Sequence, residues 1–181
     1  MLRLVLIGLS QVRKYTGSSD GVSKSNAARP GLVKLVDLCH RRWGFTNMGT
    51  FANRMMNNPK AVVGDPKWLS VHATGRACDL GYKDRKDAVE AWDWFVLHAD
   101  ALEIEEIHDY AYDANVKDKV QGWGRGYRCQ RKPGEKLVKI YDDKDNAGSR
   151  GGQWLHLELS PAMADDPERF EAAWRALPKP A

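Results

Sequence analysis

Cysteine is scarce in this chain of 181 residues: there are three, and no two of them stand in C-x-x-C spacing. That argues against both a disulfide framework and a thiolate metal site, and leaves Cys39, Cys78 and Cys129 as buried or incidental thiols. Long hydrophobic runs are missing too. No apolar stretch approaches the roughly 18 residues of a transmembrane helix, so no membrane span is expected. The apolar opening, Met1 to Leu9, is shorter than a usual signal-peptide core and lacks a small-residue cleavage site before Gln11-Val12-Arg13-Lys14. It reads as a buried opening strand, and no export leader is expected. Internal repeats and low-complexity tracts are absent, and the length suits one domain, residues 1–181, with a core of its own.

What is present is a series of periodic segments punctuated by glycine and proline. Lys14 to Ala28, rich in Gly, Ser and Asn, reads as a surface loop. From Pro30 to Gly44, Leu32, Leu35, Val36 and Cys39 recur at helical spacing and predict an amphipathic helix over 29–43. Asn47 to Asp65 predicts a short strand or turn near Arg54 and then a long loop. A second helix is expected to start at Lys83 or Asp84, with Ala88, Ala91, Trp92, Phe95 and Val96 on its apolar face. Strands are predicted at Arg76–Leu80, Glu103–Tyr110, Lys136–Tyr141 and Trp154–Leu159, with the polar loop Asp142–Gly152 before the last. Pro167 sits in the first turn of a closing helix whose Phe170, Ala173, Trp174 and Leu177 cap the sheet. From Gln121 to Arg128, glycine, aromatic and arginine residues interleave. A plain loop is expected there; its rings and guanidinium forks suit the wall of a binding cleft, and its composition also resembles single-stranded nucleic-acid platforms.

Two of the five histidines stand out. Ser70-Val71-His72-Ala73-Thr74-Gly75-Arg76-Ala77-Cys78-Asp79 places an imidazole and a carboxylate on either side of a glycine turn, and a further histidine lies far downstream in Trp154-Leu155-His156-Leu157-Glu158. Two imidazoles and one carboxylate match the three protein ligands of a catalytic zinc centre, which keeps a fourth position for water. On a strand Ala77 and Asp79 share one face and Cys78 takes the other. Asp79 is therefore expected to face the site and Cys78 the packing.

The spelling S-x-H-x-x-G-x-A-x-D, followed by the W-x-H-x-E segment, resembles the zinc motifs of the D-Ala-D-Ala carboxypeptidase and L-Ala-D-Glu endopeptidase family. These are peptidoglycan-cleaving zinc enzymes related in core fold to lysostaphin-type peptidases and the hedgehog signalling domain. The resemblance implies an α+β fold, a small antiparallel sheet carrying the zinc site and flanked by helices. It implies Zn2+ on His72, Asp79 and His156, and hydrolysis of an amide in the peptidoglycan stem peptide. It also implies an arginine ahead of the motif that holds a substrate carboxylate, for which Arg54 is the candidate. Ser70 is expected to support the motif loop or meet substrate, and Arg76 to bind a substrate carboxylate or fix a loop. His108 is a spare ligand or a substrate contact.

The chain departs from the family at the general base. Members carry Glu or Asp three residues before the last zinc histidine, or His two before it; here Gln153 and Trp154 occupy those positions. Neither accepts a proton, although Gln153 is able to orient water. Glu158 is the nearest ionisable substitute, either as the base or as a carboxylate that orients a ligand imidazole. His108 and Asp109 are further alternatives. A net charge of +4 suits peptidoglycan and nucleic acid equally; with the motif, the stem peptide is the expected partner and nucleic acid is not. Without a leader, a monomeric phage endolysin is expected, held in the host cytoplasm until a membrane-permeabilising partner releases it to the cell wall. The alternative is a zinc-containing but non-catalytic wall-binding or virion-associated module.

Overall fold

Proline at the start and glycine at the end delimit the first helix, α1 (Pro30–Trp43). Proline presets the dihedral of a first turn, and Gly44 closes the last turn at φ 69° with its N–H on the His40 carbonyl. Leu32, Leu35, Cys39 and Trp43 form its buried stripe, as the helical spacing predicts. The remaining elements are β1 (Thr46–Gly49), β2 (Ala77–Gly81), α2 (Arg85–Leu97), β3 (Ile104–Asp109), β4 (Gly124–Arg128), β5 (Val138–Tyr141), β6 (Trp154–Leu159), α3 (Pro161–Asp165) and α4 (Pro167–Ala176). The computed structural model describes residues 12–58, 60–112, 123–131, 137–142, 144–145, 148 and 150–180. The expected opening strand Met1–Leu9, together with Gln121, Gly122 and Lys136, lies outside them.

The fold is α+β, with all six strands in one antiparallel sheet of order β1-β2-β6-β3-β4-β5. Side chains alternate across a strand, so each strand sends one set of residues to each face. Cys78, Leu80, Ile107, Leu155 and Leu157 face the helices and pack with Leu35, Trp92, Phe95, Phe170 and Trp174 in the main core. Rings of Trp43, Trp94, Phe95 and Trp174 interlock there, the Trp94 and Trp174 centroids 4.7 Å apart. Each fully buried large apolar side chain contributes about 1.5–3 kcal/mol. Side chains cap the N-termini of α2 and α4: Asp84 accepts from Lys86 N at 2.8 Å and Asp166 from Arg169 N at 2.9 Å. Cys39, Cys78 and Cys129 are all buried free thiols. Among the described residues no helix is long and apolar enough to cross a membrane.

Two segments differ from the sequence reading. The interleaved stretch 123–128 is not a loop, because Gly124–Arg128 forms β4, paired with β3 and β5. Its glycines permit this. A Cβ on Gly126 would stand 1.7 Å from the Tyr141 hydroxyl, so the Tyr141 ring lies directly over the bare backbone. Trp123 and Tyr127 are buried, and Arg125 and Arg128 pair with carboxylates, Arg128 at the wall of a cleft. Thr46–Gly49, where no strand was expected, adds an edge strand through pairing with β2. The turn near Arg54 exists as an isolated bridge between Met55 and Leu69.

The face of the sheet away from the helices is polar. Strand register sets it in two rows: Asp79, His156, His108, Gly126 and Lys139 in one, and Ala77, Glu158, Glu106 and Arg128 in the next.

Candidate metal centre and its cleft

His72 sits in a 3-10 turn, Val71–Thr74, which ends at Gly75 in the left-handed region at φ 74°. Gly75 is required there for a second reason: a Cβ would come 2.5 Å from the Ala27 carbonyl oxygen. The Thr74 hydroxyl donates to the Val71 carbonyl at 2.8 Å and tightens the turn. Asp79 follows on β2, and His156 is its direct cross-strand partner on β6. Thus a tight turn and one strand pair bring together residues far apart in sequence. His72 Nε2 lies 3.3 Å from Asp79 Oδ2, and His156 Nδ1 donates to Asp79 Oδ1 at 2.9 Å. One donor atom from each of the three side chains lies within 4.8 Å of the others. A tetrahedral ion with bonds of about 2.1 Å needs donors about 3.4 Å apart, a spacing that falls inside the 4.8 Å span of these atoms. Two imidazoles and a carboxylate at the floor of a cleft are therefore a fitting donor set for one divalent ion.

The other ring nitrogen of His156 faces a different group: Nε2 donates to Glu158 Oε1 at 3.1 Å. Burial works against charge on His156, but Asp79 and Glu158 outweigh it and push its pKa up to about 10. Burial likewise opposes ionisation of Asp79, and hydrogen bonds from His156 and His72 overcome that and hold it below the usual carboxylate range.

A second imidazole and carboxylate pair stands alongside on β3. His108 Nε2 lies 3.2 Å from Glu106 Oε1, its Nδ1 meets the Tyr141 hydroxyl, and its ring is 5.4 Å from that of His156. Tyr110 stacks flat on His108, with the rings 5.6 Å apart and 7° from parallel. Burial raises the Glu106 carboxyl, yet His108 and Arg128 reverse this and hold it well below its ordinary value. Arg128 Nε donates to Glu106 at 2.8 Å, and its guanidinium lies 4.6 Å over the Tyr15 ring.

These groups line a cleft of about 630 Å3, which Arg54 and Ser70 also line. Arg54 is exposed and its guanidinium donates to the Met55 carbonyl, while Ser70 is held by its backbone N–H on the Arg54 carbonyl. Three other sequence candidates lie elsewhere. Gln153 is exposed and does not line the cleft. Asp109 points to the helix side, fully buried, bonded to Arg85 at 2.8 and 2.6 Å and to Arg125 at 3.0 Å. Arg76 is wholly buried and spent on Asp20, Glu105 and the Gly17 and Leu159 carbonyls. It is therefore a structural clasp with no access to a ligand. Sequence reasoning missed Glu106, Tyr141 and Tyr15, while Arg128 lines the cleft as the guanidinium forks of its segment suggested. Glu106 was within reach of it, since the alternation Glu106-x-His108-x-Tyr110 on a predicted strand puts all three on one face. Tyr15, in an aperiodic loop, carried no such signal. No family model, no curated protein and no solved structure matches this chain.

Proposed function

We propose that the protein is a zinc peptidase that hydrolyses an amide bond in the peptidoglycan stem peptide, on the plan of the D-Ala-D-Ala peptidase and hedgehog group, and that it serves as a phage endolysin. The observation that carries this reading is the convergence of His72 and Asp79, from one motif, with His156, 77 residues beyond Asp79, in the lining of an open cleft. These three side chains would hold a zinc ion, which would supply Lewis acidity toward a carbonyl and a water near neutral pH.

The surrounding residues divide the remaining work. His156 would hold the ion through the nitrogen that faces Asp79, which ligation requires to be unprotonated. Its Nε2–H keeps donating to Glu158, which lies across the ring from Asp79. Glu158 thus orients the ligand imidazole, and this placement favours that role over the role of base. Proton handling falls to His108, whose Nε2 is backed by the Glu106 carboxylate and whose Nδ1 meets the Tyr141 hydroxyl. An imidazole so placed typically contributes about 10²–10⁴ in rate. Arg54 and Ser70, at the wall of the cleft, hold a substrate carboxylate.

The test is mass spectrometry of purified muropeptides incubated with zinc-loaded protein. Stem-peptide fragments are expected, together with loss of both zinc retention and product in His72→Ala. Wild-type protein that takes up no zinc and makes no product refutes the reading. A second reading, a wall-binding module that holds zinc for structure, is favoured by Gln153 and Trp154 at the positions where the resembled family keeps its base. It predicts zinc retention with no product.

A further inference from the structure

A continuous hydrogen-bonded chain crosses the polar face of the sheet, and its centre is a residue from outside the sheet. His156 Nε2 meets Glu158 Oε1 at 3.1 Å, and Glu158 Oε2 meets the Tyr15 hydroxyl at 2.9 Å. The same hydroxyl meets Glu106 Oε2 at 3.0 Å, and Glu106 Oε1 meets His108 Nε2 at 3.2 Å. One phenol therefore stands between the carboxylate that backs His156 and the carboxylate that backs His108. A single charge-assisted O–H···O⁻ bond is usually about 2.5–2.7 Å long. The Tyr15 hydroxyl is within hydrogen-bond reach of both carboxylates at nearly equal distances.

Both carboxylates are buried and sit opposite each other in register on β6 and β3. Like charges at that spacing repel, and Arg128 bonds to Glu106 alone. For Glu158 the described partners are His156 and Tyr15. Removing the hydroxyl frees one oxygen of Glu158 and leaves it facing Glu106 with nothing between them.

The segment that delivers Tyr15 is itself clamped. Arg13 N–H donates to the Cys129 carbonyl at 3.2 Å, and the Arg13 guanidinium bonds to Asp100 at 3.0 Å. Thr16 bonds to Glu105 through its N–H at 3.2 Å and its hydroxyl at 2.6 Å. Arg76 holds Gly17 and Asp20 from below. Such anchoring makes the segment a fixed part of the site, where composition alone suggests a loose loop.

We infer that Tyr15 is a positioning residue for the metal centre: by bridging Glu158 and Glu106 it fixes the ring orientations of His156 and His108 together. This rests on the metal reading proposed above. Outer partners of metal ligands typically change affinity by 10–100-fold, and Tyr15, one bond further out, is expected at about the lower limit.

The experiment compares wild type with Tyr15→Phe, which keeps the ring under Arg128 and removes only the hydroxyl. Zinc affinity is measured by chelator competition, cobalt is substituted for its visible spectrum, and the melting temperature of the metal-free protein is recorded. The expected result is roughly tenfold weaker zinc binding and an altered cobalt spectrum, with a metal-free melting temperature within a few degrees of wild type. Equal affinity and an identical spectrum overturn the inference while leaving the metal reading intact. Failure of wild type to bind either ion overturns both. Should Tyr15→Phe not fold, Thr16→Val serves instead, since it loosens the clamp from outside the cleft. Weaker zinc retention in that variant supports the inference, and unchanged retention refutes it.

Discussion

Replacing Arg76 by Met tests whether the motif arginine is structural. The guanidinium has no exposed surface and is bidentate to Asp20, with Nε to Oδ2 at 2.9 Å and Nη2 to Oδ1 at 3.2 Å. It also meets buried Glu105 at 3.3 Å and the carbonyls of Gly17 and Leu159. Methionine fills much of the same volume but leaves Glu105 without its cation and two carbonyls without donors. Breaking a buried ion pair by removing one partner costs about 3–5 kcal/mol. For a domain of this size each kcal/mol lowers the melting temperature by about 2–4 °C, so a drop of about 6–20 °C is expected in a calorimetric or circular dichroism melt. A sign follows for pH. Burial already raises the Glu105 pKa against opposition from Thr16 and Arg76, and without Arg76 it rises further. A group whose folded pKa is raised loses stability as pH increases, so the deficit should be larger at pH 8 than at pH 5. If the variant melts within about 2 °C of wild type yet loses hydrolysis, Arg76 acts on substrate and the buried-clasp argument is wrong.

Three further outcomes are expected. Glu158→Gln should weaken zinc binding by about 10–100-fold while the fully loaded enzyme keeps most of its turnover; intact zinc affinity with turnover lost would make Glu158 the base. Gly126→Ala forces the Tyr141 ring off β4, since the new Cβ would stand 1.7 Å from its hydroxyl. Denaturant titration should show a loss of about 1–3 kcal/mol, and unchanged stability would refute the close packing. In metal-free protein the His156 pKa is pushed up to about 10 from an ordinary 6.5, so its contribution is complete below about pH 6.5 and lost as pH rises through 10. Melting in chelator should therefore fall across that window by an amount on the order of a few kcal/mol, and a His156→Gln variant should flatten the curve.

Much of the fold was legible because hydrophobic period is a local property. Leu32, Leu35 and Cys39 marked α1 and Trp154–Leu159 marked β6 to the residue, since burying one face of a helix or strand demands a fixed spacing. β4 was not legible, because Gly124 and Gly126 read as turn residues until Tyr141 is seen lying across them. Asp109 misled for a related reason: a charged residue on a predicted strand looks functional in one dimension, and only packing shows that its partners are Arg85 and Arg125, whereas for Arg76 packing on Asp20 and Glu105 selects the loop-fixing role over the substrate one.

Sequence alone marked most of the elements and singled out His72, Asp79 and His156 as candidate ligands, because residue chemistry and periodicity are written along the chain. Tertiary structure decided which carboxylate meets which nitrogen. Pairing of β6 with β2 on one side and β3 on the other sets His156 between Asp79 and His108, and a clamped segment from far upstream brings Tyr15 between Glu158 and Glu106. Those relations depend on strand register and long-range closure, and neither is encoded in the spacing of neighbouring residues.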